Sequence, residues 1–572
     1  MHPIRHWTRL RDAALAMGLL SCLIAAGNGS SDELPASARR VIAPGHIARP
    51  PYQFTPPDTR ILQVVQQASF DYFWNESSPH TGMTRDRVGT TVCSVAGVGF
   101  QLASLPIGIE RGWITYAQGR ARAIKVLTSL VGNPGNRKHG IYYHYLDEVS
   151  GTPRSISSGP PVVSTVDTAL LFSGAIVAAS YFGNEVDLLV DIMLGRADWK
   201  KFVDKKPVLE YAQGMISLGW VPNDPDDPTG TGELLPYYWI DAADEQRLVT
   251  FMAMATGRQN TRIPPSTWYR LRRQIGSHDD GNTVTYFPYG GGLFTNLIEH
   301  VWFDHSRIDL DDPMAFGIPH RARVDWWANA LWHARMHQDE SASNADSYAS
   351  FEVGWGLSAC DGPDGYVVPG LFPDPLPMPG AQPGIDVPLE TPSDDFGNGT
   401  IASYAAVSSI MFEPVAAMDA LKRYIALLDQ RGDRLVWKSP SGGGYGLVDS
   451  FNLDPGTGQP WSSGSHVAID QGMILLSIEN ARSGLVWNLF HEHESIRGGM
   501  KDLRLQLLPC PSLPEDVNDD CAVDGLDILE VVAAFGACPG CDEDVNGDGQ
   551  VDLLDLEAVR LLAPALGGPD LR

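Results

Sequence analysis

The sequence predicts an all-α fold: a body over residues 58–500 built from concentric rings of helices, then a small module of paired cation loops and helices over 514–565. Three observations predict it. Apolar residues recur at helical spacing in one stretch after another, while strand-like runs are few. Several stretches, "STVDTALLFSGAIVAAS" above all, are apolar nearly all round and need cover on both sides. Near the C-terminus, two twelve-residue segments carry an oxygen-bearing side chain at almost every position where a bound cation needs one. A double-ringed α/α toroid, with loops building a cleft at one end, satisfies the first two. Periodicity alone does not separate it from a helical solenoid.

The N-terminus, "MHPIRHWTRLRDAALAMGLLSCLIAAGNGSSDE", puts basic residues before an apolar run from Ala13 to Ala26 and small polar residues after it. Residues 1–27 read as a secretory signal, too short for a spanning helix, so the mature chain is expected to be secreted or periplasmic with no transmembrane helix. "LLSC" offers lipoprotein anchoring at Cys22 as an alternative, which the apolar "LIAA" after it fits poorly. Residues 28–57, rich in proline and small residues, read as a linker. Next comes "DTRILQVVQQASFDYFWNE", an amphipathic helix with Asp58 as its cap. Further helices are expected at 91–109, 115–131, 164–182, 207–217, 244–256, 324–338, 401–427 and 467–494. "HGIYYHYLDEVSG" is the clearest hairpin, ended by Gly151. Long loops rich in Gly, Pro and Asp at 220–238, 277–294 and 361–400 point to function or disorder. Residues 501–513 form a second linker.

The chain has 572 residues and a formal charge of −27, which argues against a nucleic-acid partner. Much of that charge is local: residues 511–572 hold 15 acidic side chains against Arg560 and Arg572, so this tail needs cations for its own stability. Cys510, Cys521, Cys538 and Cys541 crowd the tail, whereas Cys93 and Cys360 stand alone in the body. In an exported chain the four suggest a disulfide staple ahead of zinc or redox chemistry at "CPGC", and the sequence does not choose among the pairings.

The tail segments can be read by position. "DVNGDGQVDLLD" supplies Asp544, Asn546, Asp548, the Gln550 carbonyl, Asp552 and Asp555, with Gly549 at the sharp turn. "DVNDDCAVDGLD" supplies Asp516, Asn518, Asp520, the Ala522 carbonyl, Asp524 and Asp527, with Cys521 at the turn. Two bound Ca2+ ions are therefore expected. Both loops lead into apolar helical stretches and end on Asp rather than Glu, so the pair resembles the duplicated units of type I dockerin domains. That resemblance implies a cohesin-like or cell-surface docking partner.

In the body, many of the 15 Trp, 18 Tyr and 19 Phe sit beside Asp, Glu, His or Asn, as in "FDYFWNE", "YYWIDAADE", "HVWFDHSR" and "CDGPDGY". Sugar faces stack on aromatic rings while carboxylates accept from hydroxyls, so the pairing favours a polysaccharide or oligosaccharide cleft. Glycoside cleavage needs one carboxylic acid and a second carboxylate. The candidates are Glu245, Asp167, Asp304, Asp361, Asp364, Asp394, Asp395 and Asp470. Structural duties compete: Ser164 and Asp167 form an S-x-x-D cap pattern, Asp470 can cap a helix, and Asp361 can hold a turn.

"FDYFWNE…TGMTRDR", "GVGFQLASLPIGIERGWI", "HGIYYHYLDEVSG", "STVDTALLFSGAI", "DEQRLV", "HVWFD", "WGLSACDGPDGY", "NGTIASYAA" and "AIDQGMILLSIENARSGLVWNLF" together resemble the glycoamylase-like domain, which includes the endo-β-1,2-glucanases of glycoside hydrolase family 144. The resemblance spans residues 60–495 and implies an (α/α)6 toroid and inverting hydrolysis of β-1,2-glucan. By position it implies Glu245 as general acid, Asp167 as a catalytic-site carboxylate, and Arg85, Asp86, His300, Trp302, Asp304, Trp355, Asp361 and Asp470 as substrate-binding residues. Val162 and Asn398 stand where many relatives carry acidic residues, which makes Asp394 or Asp395 the expected base. A transglycosylase and a non-catalytic carbohydrate-binding protein remain as alternatives.

Overall fold

The computed structural model describes residues 40–41, 49–156, 159–207, 212–278, 282–318, 321–377, 392–456, 458–507, 517, 525–538 and 541–562. The expected signal, Cys22, Cys510, Cys521, Asp516, Asn518, Asp520, Ala522 and Asp524 lie outside the described residues.

The body alternates buried helices with amphipathic ones. Helix α1 (Pro56–Asn75) lays one face on the core, and Thr55 caps it, accepting the Asp58 N–H; the expected cap, Asp58, is in the first turn. Pro at the first helical position explains the earlier start, since its fixed φ suits a helix and its missing N–H costs nothing there. Helix α2 (Val95–Glu110) is buried on nearly every side. Helix α3 (Tyr116–Gly132) buries only the stripe Gly119, Ala123, Val126, Leu127 and Leu130. The pattern repeats with α4 (Thr165–Phe182, buried) and α5 (Asn184–Gly195, one face). It continues through α6 (Asp244–Ala255, buried), the short α7 (Ser266–Arg270) and α8 (Trp326–Ser343). It ends with α9 (Ser403–Ser408, buried), α10 (Pro414–Ala426, one face), α11 (Ala468–Arg482, buried), α12 (Leu485–Glu492) and α13 (Glu494–Leu503).

The buried helices pack on one another: α11 on α2, α2 on α4, and α4 on α6, while α9 packs on α11. The amphipathic ones lie against them, with α1 on α11, α3 and α5 together, and α13 on α6. Between α2 and α4 the backbones touch. A Cβ on Gly174 would lie 1.8 Å from the Gly99 carbonyl oxygen, and one on Gly99 would lie 2.3 Å from that of Leu170. Helix α4 is long and apolar enough to cross a membrane, but it is 89% buried inside the body.

Several expectations are corrected. The 401–427 stretch is a strand, α9, a 3-10 turn and α10, because Pro414 cannot continue a helix from Ser409–Met411. The 467–494 stretch breaks at Gly484, which is left-handed at φ 71°. The expected helix at 207–217 lies partly outside the described residues, and Ile216–Ser217 is a strand. The predicted hairpin splits: Ile141–Tyr142 pairs back on Arg137–Lys138, while Tyr145–Asp147 pairs with Val92–Ser94. Short strands are more numerous than an all-α reading expects, and they tie loops together where the helices begin. Nor is the 28–57 linker wholly free, since Arg40–Val41 pairs in parallel with Arg323–Val324 and Tyr52 donates its N–H to the Ala481 carbonyl.

In the tail, α14 (Gly525–Ala533) and α15 (Leu553–Leu562) close over a core of Val517, Val531, Val551 and Val559. The loop before α15 is shaped by its own side chains. Gly549 sits at φ 89° and donates its N–H to Asp544 Oδ2, while Asp555 accepts from Asn546 and Asp552. Asp544, Asn546, Asp548, Asp552 and Asp555 are the side chains that would hold the expected ion, but among the described residues no three of the loop's carboxylates bring their oxygens within 4.8 Å of one another. In the preceding segment Asp527 accepts the Val517 N–H at 2.8 Å, the counterpart of Asp555. Cys538 and Cys541 are joined as a disulfide.

Candidate active site

The beginnings of four buried helices carry the carboxylates. Asp167 and Glu245 lie in the first turns of α4 and α6, Asp470 in that of α11, and Asp86 hydrogen-bonds Ser94, the cap of α2. Sequence makes this possible, because each apolar helix carries a polar residue in its cap or first turn, where the first N–H groups have no partner within the helix. Negative side chains are favoured at that end by the helix dipole. The segment Asp86–Arg87 runs directly over the start of α11, with Ala468 N–H donating to the Asp86 carbonyl at 2.9 Å.

Glu245 keeps a partial opening to solvent although protein atoms surround it on nearly all sides. That burial, reinforced by the Asp167 and Asp244 carboxylates, pushes its carboxyl up to about 8. A carboxyl in that range is protonated at neutral pH and able to donate. Asp167 is reached by His144 Nε2 at 3.3 Å, and the His144 ring stacks on Tyr145 at 3.8 Å between centroids. Burial, then the neighbouring Asp86 and Asp167, pushes the Tyr145 hydroxyl far up, so it stays a donor. Burial also raises Asp86, against the pull of Ser94, Arg87 and His144.

Arg87 links this group to a second one. Its guanidinium meets Asp361 Oδ2 at 2.5 Å, and Asp449 and Asp86 also stabilise its charge. Asp449 Oδ2 accepts the Asp361 N–H at 2.8 Å. Asp449 and Asp470 are both buried; desolvation, then Asp361, raises Asp449, while desolvation, then Asp449 and Asp361, raises Asp470. Asp470 Oδ2 is buried with no hydrogen-bond partner among the described residues.

Beneath Glu245 lies a third network. Arg247, stacked 3.7 Å over Trp326, donates to Asp244 Oδ1 at 2.7 Å and to Glu299 Oε2. The Glu299 N–H donates to Asp244 Oδ2 at 3.0 Å, and His305 Nε2 donates to Glu299 at 3.2 Å. Burial and Glu299 raise Asp244, whereas Arg247 and His305 overcome the burial of Glu299 and lower it. A single guanidinium serves both buried carboxylates, and Glu299 has His305 as well.

Of the sequence-predicted residues, Glu245, Asp167, Asp86, Asp361 and Asp470 come together. Others do not. Trp302 is 0% and His300 1% exposed, packed in the core against Phe100, Phe490 and Phe412, so they line no open cleft. Asp304 is buried as the cap of a 3-10 turn, accepting from Ser306. Trp355 is buried, its backbone bracketing the Tyr424 hydroxyl. Arg85 turns away to pair with Glu76 at 3.0 Å and Glu148 at 2.7 Å. Asp394 and Asp395 are exposed turn residues, accepting the N–H groups of Phe372 and Gly397; the charges acting on Asp394 are Asp374 and His278. Neither acts on Glu245, whose charged neighbours are Asp167 and Asp244. Asn398 occupies a left-handed turn at φ 53°, a backbone that Asn tolerates better than most residues.

Sequence reasoning missed Asp449, Arg87 and His144. Arg87 is the third residue of a motif already singled out, but Asp449 in "GLVDSF" carries no local signal. Elsewhere, a surface hollow of about 440 Å³ lined by Arg262, Arg497 and Lys501 is not formed by any of these carboxylates. Donor atoms of Asp187, Asp191 and His493 also converge, but His493 Nδ1 is engaged by the Ser495 N–H as a helix cap.

Residues 236–494 match the family model described as "Putative glucoamylase". The exo β-1,2-glucooligosaccharide sophorohydrolase (non-reducing end) of Parabacteroides distasonis is 25% identical over 488 residues, covering 78% of this chain; the chain spans 58% of that relative's length. Among solved structures, the endo-β-1,2-glucanase of Chitinophaga pinensis in complex with sophorotriose and glucose is 23% identical, with a TM-score of 0.60 over 78% of this chain and 98% of that one. The β-1,2-glucanase of Parabacteroides distasonis is 22% identical, with a TM-score of 0.62 over 79% of this chain and 60% of that one. The body therefore shares the fold of these glucanases.

Proposed function

We propose that this protein is an exported glycoside hydrolase cleaving β-1,2-linked glucan with inversion, Glu245 acting as general acid and Asp167 as general base. The observation that carries the reading is the state of Glu245: a carboxyl opening to solvent, held protonated at neutral pH, with a second carboxylate close enough to raise it. Glycosidic oxygen needs that proton as the bond breaks, and water on the opposite sugar face needs a base. Asp167 replaces Asp394 and Asp395 because it alone of the three acts on Glu245. Arg87 and Asp361, partly exposed, supply hydroxyl-binding groups beside them, with Asp449 buried behind Asp361. The β-1,2 linkage rests on the names of the relatives, which include both exo- and endo-acting enzymes. The alternation of buried and amphipathic helices supports the (α/α)6 toroid. The tail is proposed as a dockerin-like module that takes two Ca2+ and attaches the enzyme to a cohesin-like or cell-surface partner.

The test is release of reducing sugar from β-1,2-, β-1,3- and β-1,4-glucans by wild type and Glu245→Gln. Expected are cleavage of the β-1,2 polymer and a loss of about 10² to 10⁴ in the variant. Binding of β-1,2-glucan without cleavage would establish the carbohydrate-binding alternative. A retained anomeric configuration in the first product, followed by NMR, would remove the inverting assignment.

A further inference from the structure

We propose that Asp244, clamped beneath the candidate acid by Arg247 and the Glu299 amide, is a positioning residue that governs how long Glu245 keeps its proton as pH rises. The proposal rests on the reading of Glu245 as the general acid and concerns a layer that never reaches substrate: Asp244 is 1%, Arg247 2% and Glu299 1% exposed.

The geometry gives the layer a defined direction. Asp244 and Glu245 are consecutive in the first turn of α6, so the charge on one is felt by the other through a fixed, short path. Both oxygens of Asp244 are engaged: Oδ1 by Arg247 and Oδ2 by the Glu299 N–H. His300 Nε2 stands 4.0 Å from Oδ2, and His305 reaches the network only through Glu299. Asp167, across the cleft, is the remaining charge that acts on Glu245. Arg247 cannot move to favour one carboxylate, because its plane lies on Trp326 and it also donates to the Ala242 carbonyl at 3.0 Å.

One cation between two buried carboxylates means that the anion settles first on Glu299, which His305 also serves, and only later on Asp244. As Asp244 becomes charged it repels the carboxylate form of Glu245. The acid is thereby held protonated further into the alkaline range, at the pH where it would otherwise be lost. The network acts as a buffer for the catalytic proton without touching the sugar.

Two substitutions change the charge beside the acid in opposite senses. Asp244→Asn keeps an oxygen for the Glu299 N–H and removes the repelling charge, so the alkaline limb of kcat/KM should move down by about one pH unit. Glu299→Gln leaves Arg247 to Asp244 alone, so Asp244 is charged across the whole range and the limb should keep its wild-type position or move up. General damage to α6 lowers kcat/KM in both variants but moves neither limb in these opposite senses. Alkaline limbs that coincide in wild type, Asp244→Asn and Glu299→Gln would overturn the proposal, provided Glu245→Gln is inactive. Where Asp244→Asn does not fold, a downward shift in Glu299→Gln alone overturns it. Activity retained in Glu245→Gln instead removes the reading of the acid itself.

Discussion

At the scale of single residues, a carboxyl buried like that of Glu245 must weaken the fold. Glu245 has a folded-state value raised to about 8, well above an ordinary glutamate. Between that ordinary value and 8 the folded chain holds a proton that the unfolded chain has released, so stability falls as pH climbs through the window. Glu245→Gln has no such proton to lose. Its thermal midpoint should exceed that of wild type by a margin that grows from pH 5 to pH 8, as scanning calorimetry would measure; an equal margin at both would contradict the burial argument. Glu245 and Asp167 were legible in the sequence because each opens an apolar helix, where a charge is informative. Asp394 and Asp395 misled because adjacent acids in a loop look alike whether they face a cleft or a surface turn. His300 and Trp302 misled in the opposite way: residues suited to sugar contact are equally suited to a packed core. Asp449 reaches its place only through pairing of Ser450–Asn452 with Ile401–Ala402, a contact across nearly fifty residues that no local pattern encodes.

At the scale of elements, the joint between α2 and α4 leaves no room for a side chain. Gly174→Ala places a methyl against backbone, which cannot rotate aside, and should destabilise by about 3 kcal/mol in urea unfolding. Gly132→Ala, at the end of α3 with nothing within 4 Å, is the control. It should change stability by less than about 1 kcal/mol and in the favourable direction. The positions of most helices were legible from periodicity, and their ends were not. Pro414 and Gly484 each interrupt a run whose apolar spacing continues unbroken across the gap, so the pattern joined what backbone chemistry divides. The one-faced α5 was missed because its neighbour's continuous apolar run hid the shorter stripe of Val186, Val190, Met193 and Leu194.

At the scale of the whole molecule, body and tail differ in what holds them. Among the described residues the tail core is four buried valines with a few partly buried neighbours, a small cluster to hold its segment. Chelation of Ca2+ with EDTA should therefore abolish the tail's calorimetric transition and leave glucan cleavage by the body unchanged; a surviving tail transition would show that the disulfide and helices suffice. The body is sealed in another respect. Cys93 and Cys360 are 0% and 1% exposed, and burial pushes both thiols far above the ordinary range. A thiolate-seeking reagent finds neither available until the helices around them part. Their rate of maleimide capture, located by mass spectrometry, becomes a stopwatch for spontaneous opening of the body, and a sugar that grips the cleft should slow its hand.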